Sequence, residues 1–69
     1  MSVLKIIEIM GESSNSWEAA AEEAVGEAAR SVKNIRSVWV KDQSATVKDG
    51  KLDKYRVTCK ITFAVDSKG

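Results

Sequence analysis

Sixty-nine residues, 43% of them hydrophobic and 30% charged with a net charge of +1, suit a single folded domain over 1–69 and exclude a disordered chain. A domain this short hides about 60% of the surface its unfolded form exposes, so a lone copy is marginal. One cysteine, Cys59, and no histidine exclude an internal disulfide and any Cys/His zinc site, leaving self-association as the route to further stability. No apolar run approaches a membrane span and no basic segment leads into an apolar one at the N-terminus, so the expectation is a cytoplasmic protein with no membrane partner. The lone thiol agrees with a reducing compartment.

The opening segment Val3–Met10 is rich in β-branched residues and bounded by Gly11, which predicts a short strand covered on much of both faces and ending in a turn over 11–14. Asn15-Ser16-Trp17-Glu18 has the form of a helix start, with the Asn15 side chain accepting a free backbone N–H and Glu18 reaching back. From there Trp17, Ala20, Ala21, Ala24, Val25, Ala28 and Val32 recur at three- and four-residue steps, which predicts an amphipathic helix over 16–33. Its apolar stripe is mostly alanine, so the helix is expected to lie close to a sheet.

Two β-rich segments, 36–48 and 51–65, flank Asp49-Gly50, a dipeptide suited to a two-residue turn with positive φ at both centres. In the second, Tyr55, Val57, Cys59, Ile61, Phe63 and Val65 alternate with Lys54, Arg56, Thr58, Lys60 and Thr62, giving one core face and one polar face. A tight turn at Asp49-Gly50 sets Val38 against Ile61, Val40 against Cys59 and Ser44 against Tyr55 on the core face. The same register sets Ser37 against Thr62, Trp39 against Lys60, Lys41 against Thr58 and Gln43 against Arg56 on the other. One helix covers one side of a three-stranded sheet, so this cationic face with its indole meets either water or a second copy.

Charge is divided along the chain. Residues 1–29 hold Lys5 against six glutamates, and residues 30–69 hold ten Lys/Arg against four Asp. In a small fold such a division favours assembly between unlike surfaces or an anionic ligand on the basic side.

Catalytic chemistry is poorly supplied. Without histidine the commonest general base is missing, Cys59 reads as a small core residue, and Gly11 belongs to no phosphate-cradling series. The chain reads as a non-enzyme. Trp39 with Gln43, Arg56 and Lys60 remains as a binding constellation, since an indole stacks planar rings while amide and cations hold their edge or a phosphate. The bland alternative is an indole filling a subunit interface in a structural or interaction particle. Single-stranded nucleic acid would use the same residue types, but one aromatic per chain on that face and a near-neutral charge argue against it. Asp42, Asp49, Asp53 and Asp66 supply oxygen ligands for calcium, without EF-hand spacing.

Taken in order, Lys5-Ile6-Ile7-Glu8-Ile9-Met10-Gly11, Ser16-Trp17-Glu18 with Ala20-Ala21, Val32-Lys33-Asn34-Ile35-Arg36, Asp42-Gln43, Asp49-Gly50-Lys51 and Tyr55-Arg56-Val57-Thr58 with Lys60 and Phe63 resemble the dodecins across essentially the whole chain. The resemblance implies an α+β subunit of β-α-β-β order, an antiparallel three-stranded sheet wrapped around one amphipathic helix, and a hollow homododecamer. It also implies a non-enzymatic storage or sequestration role, with flavin (riboflavin or FMN) stacked between aromatic rings. Flavin-binding members carry Trp where this chain has Ser37 and Gln where it has Arg56, so the implied flavin pocket is altered. Trp39 lies two residues from Ser37 and would offer a shifted platform. Members that take coenzyme A or FMN tend to have Arg after the third-strand Phe, whereas Ala64 follows Phe63 here. Calcium, bound by some relatives, is the alternative ligand that the resemblance implies, with no ligands assigned.

Overall fold

Strand β3 (Lys51–Val65) is the spine of the sheet: β1 (Val3–Ser13) and β2 (Ile35–Lys48) both pair with it antiparallel, giving the spatial order β1-β3-β2. The computed structural model describes residues 3–65, and its single helix, α1 (Trp17–Ala29), links β1 to β2. The predicted β-α-β-β order and antiparallel three-stranded sheet are both present.

Burial follows the predicted alternation. Val57, Cys59 and Ile61 are buried on the centre of β3, and Ala20, Ala24 and Ala28 lie on α1 against them. Ile7, Ile9, Trp17, Val25, Val32 and Ile35 pack around this nucleus half-buried. Alanines make the contact close and the core thin, as a narrow helix stripe must.

Gly11 carries that close approach. The sequence expectation ends the first strand there, but Gly11 pairs with Val57 in mid-ladder and β1 runs on to Ser13. A Cβ placed at Gly11 would sit 2.0 Å from the Ala20 carbonyl oxygen and 3.0 Å from Ala24 Cβ. The missing side chain therefore admits the helix, and it turns no corner.

The helix is also shorter than the expected 16–33, and its cap is Ser16 in place of Asn15. Ser16 has extended backbone, and its Oγ accepts from Ala19 N at 2.9 Å, while Asn15 N donates to Ser13 Oγ in the preceding turn. One helical turn outlasts Ala29, since Val32 N still donates to Ala28 O at 2.9 Å. Then Asn34 adopts φ 64, a left-handed conformation that Asn tolerates, and its carbonyl accepts from Ala64 N, which turns the chain into β2.

The hairpin turn is as predicted, with Asp49 at φ 53 and Gly50 at φ 75. Its register holds for Ser37↔Thr62, Val38↔Ile61, Trp39↔Lys60 and Val40↔Cys59. Between Val40 and Asp42 the pairing slips by one, so Gln43 faces Val57 and not Arg56, Ser44 faces Arg56 and not Tyr55, and Lys41 does not face Thr58. A bulge at Lys41, matched by an irregularity between Ala45 and Val47, lets the long hairpin bend around the helix.

Candidate functional site

The face of the sheet away from α1 carries most of the residues singled out from sequence, in separate groups. Glu8 of β1, Lys60 of β3 and Trp39 of β2 form one row across all three strands. Trp39 is 62% exposed, and Lys60 Nζ stands 5.3 Å from its ring centroid, within the range of a cation–π contact. Lys41, displaced by the bulge, reaches across the row to Glu8, Nζ to Oε2 3.4 Å. Ser37, opposite Thr62, continues the group with a hydroxyl where a ring would be needed for stacking.

Arg56 stands apart, four residues along β3 from Lys60 and so about 13 Å away at a strand's rise. Its Nε donates to Glu12 Oε2 of β1 at 2.7 Å. The Arg56 hydrogen bond, with its charge, holds the Glu12 carboxyl below its ordinary value despite some desolvation. This guanidinium is already engaged. Gln43, sharing a row with Val57, cannot complete an amide edge beside Arg56. The structure thus joins Ser37, Trp39 and Lys60, and separates Arg56 and Gln43 from them.

Sequence reasoning misses Glu8 and Glu12 as members of this face, and it places Lys41 there opposite Thr58 without its pairing to Glu8. No loop joins β1 to β3, so no turn geometry sets their register in advance. The opposed charges at Glu8 and Lys60, and at Glu12 and Arg56, are the signal a pairing search would find.

Among the described residues no three His, Cys, Asp or Glu side chains converge. Asp42 faces Thr58, Asp49 is in the turn, Asp53 lies in the irregular stretch of β3, and Asp66 is outside the described residues. Burial pushes the Cys59 thiol up, away from the thiolate form that would act as nucleophile or ligand. No helix among the described residues is long and apolar enough to cross a membrane.

What this outer face offers is apolar area. Leu4, Ile6 and Met10 of β1 are all more than half exposed beside the Trp39 row. Among the described residues six are buried as core, and a stripe of this kind left uncovered beside them has the character of an interaction surface.

Comparison with known proteins gives a consistent result. The dodecin family model matches residues 3–66. The chain is 43% identical over 63 residues to a calcium dodecin of Mycobacterium tuberculosis, covering 91% of this chain and 89% of that one. Among solved structures it is similar to a point mutant of the Thermus thermophilus dodecin, with a TM-score of 0.93 at 25% identity over 99% of this chain and 100% of that one. It is also similar to the crystal structure of the Mycobacterium tuberculosis calcium dodecin, described as calcium chelating with a novel calcium-binding site, with a TM-score of 0.82 at 38% identity over 99% and 97% of the two chains.

Proposed function

Because this chain belongs to the dodecin family, we propose that it is the subunit of a hollow shell of twelve copies that stores a small ligand without transforming it, and that the ligand is calcium. The observation that carries the ligand class is Ser37: the stacking ring of the flavin-binding pattern is replaced by a hydroxyl opposite Thr62, while Arg56 is engaged by Glu12. The name and description of the Mycobacterium tuberculosis relative point the same way. Calcium takes about 6–8 oxygen ligands, and one subunit brings no three carboxylates together among its described residues. The site therefore draws oxygens from more than one copy, and holding the ion depends on assembly. With its single buried thiol the shell suits the reducing cytoplasm.

Native mass spectrometry of the purified protein, paired with equilibrium dialysis against labelled calcium, tests this reading. The expected result is a twelve-subunit mass, saturable calcium uptake by the particle and none by subunits dispersed in denaturant. Flavin-sized increments on the particle, with no calcium uptake, would overturn the ligand assignment, and a monomeric mass would overturn the shell.

The exposed Trp39 with Lys60 beside it favours a second reading, a flavin platform displaced by two residues. Under that reading Trp39→Ala abolishes flavin uptake and spares assembly. Under a purely structural role for the indole the same change disperses the particle. Ser37→Trp combined with Arg56→Gln is expected to raise riboflavin affinity above wild type, since it restores the two residues of the flavin-binding pattern, which lie apart in one subunit and would meet only between copies.

A further inference from the structure

Among the described residues of its own subunit, nothing explains Gly26. A glycine in a helix interior is less favourable than alanine, and the usual reason for one is a neighbour too close for a Cβ, as Ala20 is at Gly11. At Gly26, past the middle of α1, a Cβ would meet nothing within 4 Å among the described residues. The room it leaves belongs to a groove between α1 and β2.

The helix is seated against Gly11 and the centre of β3, and Val38 and Val40, on the helix side of β2, are left 39% and 38% exposed. Between α1 and β2 lies an open groove of about 360 Å³, lined by Glu18, Ala21, Glu22, Val25, Gly26 and Val38. Four of these make an apolar floor. Glu18 and Glu22 stand one helical turn apart on the same face of α1, and among the described residues neither is in an ion pair. Over its whole length α1 carries four glutamates and no lysine or arginine, so it repels an anion and attracts a cation.

We propose that this groove binds a small amphiphilic amine, its ammonium group held between the Glu18 and Glu22 carboxylates and its apolar body lying over Ala21, Val25 and Val38 in the room that Gly26 keeps clear. At about 30 Å³ for each water-sized group, the volume suits an alkyl or arylalkyl amine with on the order of a dozen non-hydrogen atoms. Both halves of such a ligand are needed. An exposed ion pair contributes little by itself, while the floor of the groove is open on one side and covers only part of an apolar body. All six residues belong to one subunit and lie on the helix side of the sheet, away from Trp39 and Lys60. The site is therefore separate from the calcium reading and needs no second copy.

The test is equilibrium dialysis of the full chain in its assembled form against 4-phenylbutylamine, 4-phenylbutan-1-ol and 4-phenylbutanoate, which share one body and differ in charge. Wild type is expected to take up the amine saturably, to bind the alcohol at least about ten-fold more weakly, and to exclude the acid. Glu18→Gln with Glu22→Gln brings the amine down to the level of the alcohol and leaves the alcohol where it was. Gly26→Leu fills the groove and loses both, with its helical dichroism intact. Gly26→Ala, whose Cβ has free space, is expected to unfold at a higher urea concentration than wild type. Equal uptake of the three probes, or amine uptake that survives either the paired glutamate change or Gly26→Leu, overturns the proposal. So does an assembled wild type that takes up no amine, the result that a neighbouring copy covering the groove would give.

Discussion

The two faces of the sheet are made from alternate residues of the same three strands, yet they meet opposite fates. Under α1, Val57, Cys59 and Ile61 are closed off by Ala20, Ala24 and Ala28. On the other side Leu4, Ile6, Met10 and Trp39 stay largely exposed, crossed by the Glu8–Lys41 and Glu12–Arg56 ion pairs. The covered face holds the subunit together, and the bare face is free to be used. Substitutions of similar size should therefore separate into those that unfold the subunit and those that change what it binds or joins.

The largest effect is expected at Gly11. Gly11→Val drives a side chain into the backbone of α1 at Ala20, where no rotamer can yield, and costs about 3 kcal/mol or more. For a domain this small that abolishes the fold, seen as loss of the helical dichroism signal at ambient temperature. Ile61→Ala, which empties the fully buried centre of β3, is expected to cost about 2–5 kcal/mol in urea unfolding. Ser16→Ala removes the acceptor for Ala19 N and costs about 1 kcal/mol by the same measurement.

On the bare face Trp39→Ala should leave subunit unfolding within about 0.5 kcal/mol of wild type. A cost of core size there would break the contrast between the faces. The smallest effect concerns acid. The native Glu12 carboxyl lies below its ordinary value of about 4.3, so its pairing with Arg56 contributes above that value and is lost as pH falls through the depressed native one. Glu12→Gln is expected to be slightly less stable than wild type at neutral pH and equal to it in strong acid, which a pair of urea titrations would check.

Much of the covered face is legible in the sequence alone. The alternation along 51–65, the alanine stripe and the Asp49-Gly50 turn are local patterns, and each encodes its own geometry. Gly11 misleads because a glycine after a strand is usually punctuation, while here the residue that needs the space, Ala20, lies nine positions further on. The bare face is half legible. Trp39 and Lys60 fall where the hairpin arithmetic puts them, but the Lys41 bulge has no Gly or Pro to announce it, and it moves Gln43 into the Val57 row. A bulge belongs to two strands and to the curvature they must share, so neither strand shows it alone. The Glu8 and Glu12 partnerships depend on a third strand that no turn ties to the second.

The two indoles of the chain sit on opposite sides of this division. Trp17 donates its Nε1–H to the Ser44 carbonyl at 2.8 Å and stands edge-on to Tyr55, 4.8 Å between centroids, tying the start of α1 to the hairpin. Trp39 stands in the open beside an ammonium group. The protein thus carries two built-in optical probes of different meaning. In Trp39→Phe the remaining emission follows whether the helix is docked, and in Trp17→Phe it follows whether the outer face is wet or occupied, so folding and occupancy can be watched separately without attaching any dye.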